Sequence, residues 1–226
     1  MMDVLQNIGV RFAKTLSLHR KDNPGLMIGV ISATLLCLLG LGSIVNAQST
    51  YHINEVEANN MKLSGTSTFH DWTMNARTFS GEAQFEFTKG NDHQLTVLRS
   101  LTFCLETLNL KSDKKGLDKN AYKALKADHV KNIQYELVSS KVLPEKENRY
   151  LIKTRGNLSI AGITKEVAMD VHCTVNSNAT VSCSGSDKLN MTDYAVTPPA
   201  FMLGAMKTGD AVILDFTVVY KRQEGI

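Results

Sequence analysis

The sequence lacks most of the residue spacings that would indicate a metal site or an active site. Its 4 cysteines never form a C-x-x-C pair, which argues against a zinc or thioredoxin-like site. Neither a G-x-S-x-G nucleophile turn nor an H-E-x-x-H helix occurs. The scattered histidines, which include His52, His93, His129 and His172, show no ligand spacing. We therefore expect no metal, no cofactor and no catalytic residue.

An excess of charge of one sign is also missing. The 226 residues include 25 Lys and Arg against 22 Asp and Glu, which gives a formal net charge of +3. Nucleic-acid-binding domains usually carry a clearly basic face. The charge balance therefore argues against a nucleic-acid partner.

One long hydrophobic run is present near the N-terminus. Leu26–Val45 follows a basic stretch and ends at Val45-Asn46-Ala47, a small-x-small cleavage pattern. This arrangement predicts a signal peptide over residues 1–47 and a domain over residues 48–226 in the periplasm or another extracytoplasmic compartment. The alternative is an uncleaved anchor that associates with a membrane through Leu26–Val45, because about 20 apolar residues can span a bilayer.

Much of the remaining chain shows the period-2 alternation of half-buried β-strands. In Gly156–Val175, two alternating runs flank the turn sequence Ala161-Gly162, which predicts a β-hairpin. Leu95–Glu106 alternates as well, although Arg99 interrupts the apolar phase that contains Val97. About eight strands joined by short turns predict an all-β fold, either a meander closed into an antiparallel barrel or a sandwich.

A single segment has helical periodicity. Leu117, Ala121, Ala124 and Leu125 recur at helical spacing, which predicts a short helix that begins after Asp118 and is capped by that side chain. We expect this helix to be an insertion between strands.

Two cysteines occupy positions that would bring them together. Cys173 and Cys183 lie in the apolar phases of two strands that flank the turn sequence Asn176–Ala179. An oxidising compartment permits disulfides, so we expect these two residues to be bonded. Cys104 lies in the opposite phase from its apolar neighbours, and we expect it to be free.

Whether the barrel interior is hollow is left open by the residues alone. An eight-stranded barrel can be filled by its own side chains or can hold one small ligand. The strand Phe79–Phe87 places Gly81 and Ala83 in its apolar phase, which favours free space. The alternative is a structural or interaction barrel with a packed core and no ligand.

The adjacent pair His70 and Asp71 permits a third hypothesis, a small hydrolase that uses His70. Neighbouring residues in a strand tend to point apart, so a polar turn at one end of the barrel, covered by Trp72, is favoured. Ser112–Lys115 and Lys207–Gly209 match the S-x-x-K and K-T-G patterns of β-lactamases. Both patterns are short, and the first lies in a polar loop, so we interpret them as chance matches.

Several motifs in order resemble the YceI-like family of small lipocalin-like barrels. Gly156–Val167 has the pattern G-x-L-x-I-x-G-x-T-K-x-V of the central hairpin, and Gly65–Trp72 resembles a His-Asp-Trp corner. Leu117–Ile133 resembles the helical insertion, and Leu203–Asp210 resembles the approach to the last strand. The resemblance covers about Tyr51–Tyr220 and implies an antiparallel lipocalin-like barrel with an elongated apolar channel.

The resemblance also implies a function. Family members are associated with polyisoprenoids, isoprenoid quinones or similar lipids, so a non-enzymatic binding protein is expected, with His70 and Asp71 at a polar mouth. The expected ligand contacts are Trp72 and the inward phase of the strands, where Gly81, Ala83 and Gly156 would make room. This set is Trp72, Phe79, Gly81, Ala83, Phe85, Phe87, Phe103, Tyr135, Ile152, Gly156, Leu158, Ile160, Met169, Leu214 and Phe216.

Overall fold

Antiparallel strands dominate the computed structural model, which describes residues 50–53, 59–76, 78–88, 94–201 and 206–223. The strands are β1 (Thr50–Ile53), β2 (Asn60–Ser67), β3 (Trp72–Ala76), β4 (Ser80–Phe87), β5 (Leu95–Glu106), β6 (Leu110–Lys111), β7 (Asn132–Pro144), β8 (Arg149–Ile160), β9 (Ile163–Val175), β10 (Val181–Asn190), β11 (Ala200–Phe201) and β12 (Met206–Arg222). The described residues also form one α-helix, α1 (Lys115–Ala124), and two 3-10 turns, Thr107–Asn109 and Met191–Tyr194. The signal-peptide prediction falls on residues that lie outside the described ones.

Eight of the strands close into a barrel. In the order β1, β4, β5, β7, β8, β9, β10 and β12, each strand pairs antiparallel with the next. The ring closes where β12 pairs with β1, through register partners such as Ile53 and Tyr220. Of the two predicted arrangements, the barrel is therefore the one that forms, and the expected all-β fold class is confirmed.

The long strand β12 creates a branch in the sheet. Its 17 residues pair with β2 over residues 208–217 and with β1 over residues 220–222, both along the same edge. The β2–β3 hairpin consequently lies beside β12 and not between β1 and β4. The fold thus departs from the simple meander that short turns would suggest, because one long edge can hydrogen-bond two shorter strands in series.

The predicted hairpin is formed by β8 and β9. Ile160 pairs with Ile163 across a two-residue turn in which Ala161 has φ 51° and Gly162 has φ 86°. Such positive values suit the tight turns that match the twist of two antiparallel strands. Alternate residues of β8 are buried, while the outward Lys153 lies 3.2 Å from a carboxylate oxygen of Asp170 on β9. The period-2 prediction is confirmed for this pair.

The strand β5 departs from strict alternation. Its register with β4 shifts between the pairs Gln84–Ser100 and Phe85–Leu98, so Arg99 is an extra residue at a bulge. The buried side chain beyond the bulge is Leu98, and Val97 lies on the outer phase with its partner Glu86. The predicted inward phase of Val97 is therefore wrong. Arg99 is not a defect in the core, because its guanidinium donates two hydrogen bonds to Glu86 on the outside.

The helix begins earlier than predicted. Lys114 is the N-cap residue and makes no side-chain capping bond, so the proposed cap at Asp118 is wrong. The Asp118 carboxylate accepts hydrogen bonds from the backbone amide and the hydroxyl of Ser112, both at 2.7 Å. Through these two hydrogen bonds, Asp118 holds the preceding loop against the first turn of the helix.

The cysteines lie where their strand phases predicted. Cys173 on β9 and Cys183 on β10 are direct register partners and are joined by a disulfide. Cys104 is free. Over the described ranges, no helix is long and apolar enough to cross a membrane.

Candidate functional site

The barrel contains an apolar cavity of about 250 Å³. Side chains from both the barrel strands and the β2–β3 branch line it, so the space lies inside the closed sheet. Most of the predicted contacts contribute to its wall, namely Trp72, Phe85, Phe103, Tyr135, Ile152, Leu158, Ile160, Met169, Leu214 and Phe216. The strand phases therefore place these residues around one continuous space.

Five of the predicted contacts are not part of the cavity wall. Phe79 and Phe87 pack against a core cluster that includes the buried Ala83. Ala83 is only 1% exposed and pairs with Tyr51 on β1. The space beside the remaining two, Gly81 and Gly156, is filled by neighbouring protein atoms.

The two glycines make room for protein atoms. A Cβ atom at Gly81 would lie 2.6 Å from the Thr102 carbonyl oxygen and 2.8 Å from Cδ1 of Ile53. At Gly156 it would overlap the ring of Tyr135, which lies across that position. A side chain at either position would force these neighbouring atoms to shift, so the expectation that these glycines open space for a ligand is wrong. Their small size is required for packing.

One side of the cavity is covered by α1, a contribution that strand phases alone could not reveal. Leu117, Ala121, Ala124 and Leu125 all line the cavity. These are the residues whose helical spacing predicted the helix, so the amphipathic signal identified the correct face. What the pattern lacked was any indication of which strands this face would contact.

The wall carries almost no charge. Among the described residues of the wall, the only titratable side chains are the tyrosines Tyr135, Tyr194 and Tyr220, since Cys173 and Cys183 are bonded to each other. Burial is the main cause that raises the pKa of each tyrosine above its usual value, so all three are neutral at physiological pH. Such a wall suits an uncharged apolar molecule.

A second, polar space of about 380 Å³ adjoins the cavity, and we call it the vestibule. Trp72, Leu117, Asn120 and Thr208 line both spaces. The other residues around the vestibule are Ser67, His70, Asp71, Thr73, Asn75, Ser112, Asp113, Lys114 and Lys207. The predicted mouth residues His70 and Asp71 therefore lie beside the apolar cavity.

Trp72 is held at the border between the two spaces. Its indole Nε1 donates a hydrogen bond to the Thr66 carbonyl at 3.2 Å. Its ring lies on Gly65, its register partner on β2, where a Cβ atom would come within 2.6 Å of the indole Cε2. The glycine thus allows the indole to lie close to the β2 backbone. Because this is the single tryptophan in the chain, its fluorescence reports on this border.

The arrangement of polar groups gives little support to hydrolytic chemistry. His70 and Asp71 are exposed, and no hydrogen bond joins their side chains among the described residues. The Ser112 hydroxyl donates to Asp118 at 2.7 Å instead of facing a base. In the described part of the chain, no group of His, Cys, Asp and Glu is arranged to hold a metal ion.

Comparison with known proteins agrees with this architecture. The model of the YceI-like domain family matches residues 45–220. Among solved structures, BcnA from Burkholderia cenocepacia has a TM-score of 0.57 at 14% identity, covering 74% of this chain and 98% of that one. A polyisoprenoid-binding domain from Saccharophagus degradans, implicated in plant cell wall breakdown, has a TM-score of 0.56 at 8% identity, covering 78% and 99%. No curated protein matches the chain. At these identities the two structures support the fold alone.

Proposed function

The chain belongs to the YceI-like domain family, and from this premise we propose that it is a binding protein for a long apolar molecule. The barrel cavity would hold a polyisoprenoid, an isoprenoid quinone or a similar lipid. The observation that carries this proposal is the neutral apolar cavity of about 250 Å³. The polyisoprenoid-binding domain from Saccharophagus degradans has the same fold, which is consistent with the assignment.

The size of the cavity favours a ligand over a packed core. Engineered apolar cavities of about 150 Å³ stay dry and bind small apolar molecules such as benzene. At about 24 cal/mol per Å³, an empty cavity of 250 Å³ would cost on the order of 6 kcal/mol. That penalty is comparable to the whole stability of many domains. A ligand whose methylenes each contribute about 0.8 kcal/mol would remove it.

The vestibule completes the proposed site. A long molecule with a polar end can place its chain in the cavity and its polar group among the side chains of the vestibule. Hydroxyl, amide and charged groups are all present there, including Ser67, Asn75 and Lys207. His70 and Asp71 remain our candidates for contacts with the polar group, and Trp72 for the contact at the border.

We also propose that the protein acts outside the cytoplasm. Two independent features support this location: the signal-peptide pattern of residues 1–47, and the disulfide between Cys173 and Cys183. Structural disulfides persist mainly in oxidising compartments. The function would then be to hold or carry a lipid in the cell envelope.

Fluorescence of Trp72 tests the proposed site. Titration of delipidated protein with a long-chain polyprenol should change the emission of the indole until one molecule is bound per protein. The emission should respond because the indole borders the cavity. A short alcohol such as ethanol at the same concentration serves as the control and should have no effect. No change in emission, together with no uptake of the polyprenol in equilibrium partitioning, would contradict the proposal.

A further inference from the structure

The wall of the cavity includes one polar atom that lacks a partner. The Tyr135 hydroxyl on β7 is buried and makes no hydrogen bond among the described residues. The whole residue is only 7% exposed, and it lines the cavity. Buried tyrosine hydroxyls usually find a partner, and leaving one unpaired destabilises a protein. An unpaired hydroxyl on a residue that lines the cavity therefore calls for an explanation.

The neighbouring groups do not satisfy this hydroxyl. Thr154 on β8 lies near the Tyr135 hydroxyl, and its own hydroxyl donates to the Met169 carbonyl at 3.1 Å. Thr154 is close enough to oppose, in part, the effect of burial on the Tyr135 pKa, but the geometry between the two side chains does not make a hydrogen bond. Burial keeps the pKa above the usual 10.0, so the group retains its proton. Tyr135 is thus a hydrogen-bond donor in an apolar wall.

We propose that the Tyr135 hydroxyl donates a hydrogen bond to an oxygen atom in the buried part of the ligand. The cavity would then distinguish an apolar chain that carries a carbonyl oxygen from a plain hydrocarbon of the same length. This inference rests on the proposed binding function and adds to it the chemical class of the ligand. The polar recognition would occur inside the barrel, in addition to any contact in the vestibule.

The physical basis is an asymmetry between the two ligand classes. A hydrocarbon fills the cavity but leaves the hydroxyl unpaired, whereas a carbonyl oxygen accepts a hydrogen bond from it. The apolar surroundings make such a bond stronger than in water. A residue that hydrogen-bonds the ligand in this manner should therefore affect the choice between ligands more than it affects the affinity for the hydrocarbon.

The experiment compares two probes, a linear long-chain methyl ketone and the alkane of equal chain length. Their Kd values are measured on wild type and on Tyr135→Phe through the Trp72 emission. Comparing the ratio of the two Kd values between wild type and Tyr135→Phe cancels the difference in water solubility between the probes. In Tyr135→Phe, we expect the Kd for the ketone to rise about tenfold relative to the Kd for the alkane. The Kd for the alkane should change little.

Tyr150→Phe is the matched control. Tyr150 is buried, does not line the cavity, and its hydroxyl accepts a hydrogen bond from the Leu95 amide at 3.1 Å. Tyr150→Phe should lower the melting temperature and leave the Kd ratio unchanged, whereas Tyr135→Phe should leave the melting temperature equal or higher.

Each outcome has a defined meaning. An unchanged ratio in a folded Tyr135→Phe protein that still binds both probes would overturn the inference and leave the binding function standing. A lower melting temperature for Tyr135→Phe would also overturn it, because the hydroxyl would then have a partner within the protein. Binding of neither probe to wild type would overturn the proposed function and the inference together.

Discussion

Replacing Ala121 by phenylalanine would place an aromatic ring inside the cavity. Ala121 lies in the middle of α1, and its side chain lines the cavity. The ring would occupy space that the ligand chain otherwise fills. The helix should tolerate the change, because the loss of intrinsic helix propensity is at most about 0.7 kcal/mol.

The expected magnitude follows from the volume that the ring occupies. If the ring displaces about four methylenes of the ligand, about 3 kcal/mol of binding energy is lost at about 0.8 kcal/mol each. That loss corresponds to a Kd weaker by on the order of a hundredfold. Burial of the ring stabilises the free protein by about 2 kcal/mol, which exceeds the loss of helix propensity. The melting temperature of Ala121→Phe should therefore equal or exceed that of wild type.

The assay combines a binding titration with thermal unfolding. Ala168→Phe is the control, since Ala168 is exposed on the outer face of β9 and receives the same added ring. We expect weak binding and full stability for Ala121→Phe, and wild-type binding for Ala168→Phe. Wild-type affinity in a folded Ala121→Phe protein would refute the reasoning, because the ligand would then bind somewhere other than this cavity.

Three further predictions concern packing, the disulfide and the N-terminus. Gly156→Ala should lower the free energy of unfolding by about 1–3 kcal/mol, because the added methyl group overlaps the Tyr135 ring. Gly116→Ala should raise it by up to about 1 kcal/mol, because a Cβ atom there meets nothing within 4 Å and alanine favours the helix α1. Urea unfolding measures both changes. Replacing Cys173 and Cys183 together by alanine should cost about 2–3 kcal/mol, since the bridge closes a short loop, and an unchanged unfolding midpoint would contradict this. N-terminal sequencing of protein from the cell envelope should begin at Gln48, and an intact N-terminus would indicate an anchor.

The parts of the fold that depend on local patterns could be predicted from the sequence. The β8–β9 hairpin needs only period-2 alternation and a turn that accepts positive φ, and both are visible at Ala161-Gly162. The pairing of Cys173 with Cys183 followed from the same phases and the short turn between them. These features involve neighbours in sequence, so residue order determines them.

Features that depend on distant contacts could not be predicted in this way. The bulge at Arg99 shifts the register of β5 by one residue, and only the pairing with β4 reveals it. Gly81 and Gly156 suggested free space, but Ile53 and Tyr135 occupy that space from other strands. A small residue indicates that something is close, and the sequence does not identify whether that is a ligand or a side chain.

The cavity and the vestibule also depend on contacts between residues distant in sequence, so the sequence predicted them only in part. Strand phases identified much of the wall, including Phe85, Ile152 and Met169. The contribution of α1 was missed, although its apolar face was recognised, because this face packs with residues distant in sequence, such as Met74 on β3. The position of His70 and Asp71 beside the cavity depends on the branch of β2 and β3 from β12.

Native mass spectrometry of protein purified from its own cell envelope tests the central claim most directly. The spectrum is recorded before and after extraction with an organic solvent, and the extract is analysed separately. We predict a complex with one co-purifying hydrophobic molecule that disappears on extraction and returns when a polyprenol or an isoprenoid quinone is added. Protein that carries no such molecule, and takes up neither of the added lipids, would contradict the account and identify the barrel as a structural module.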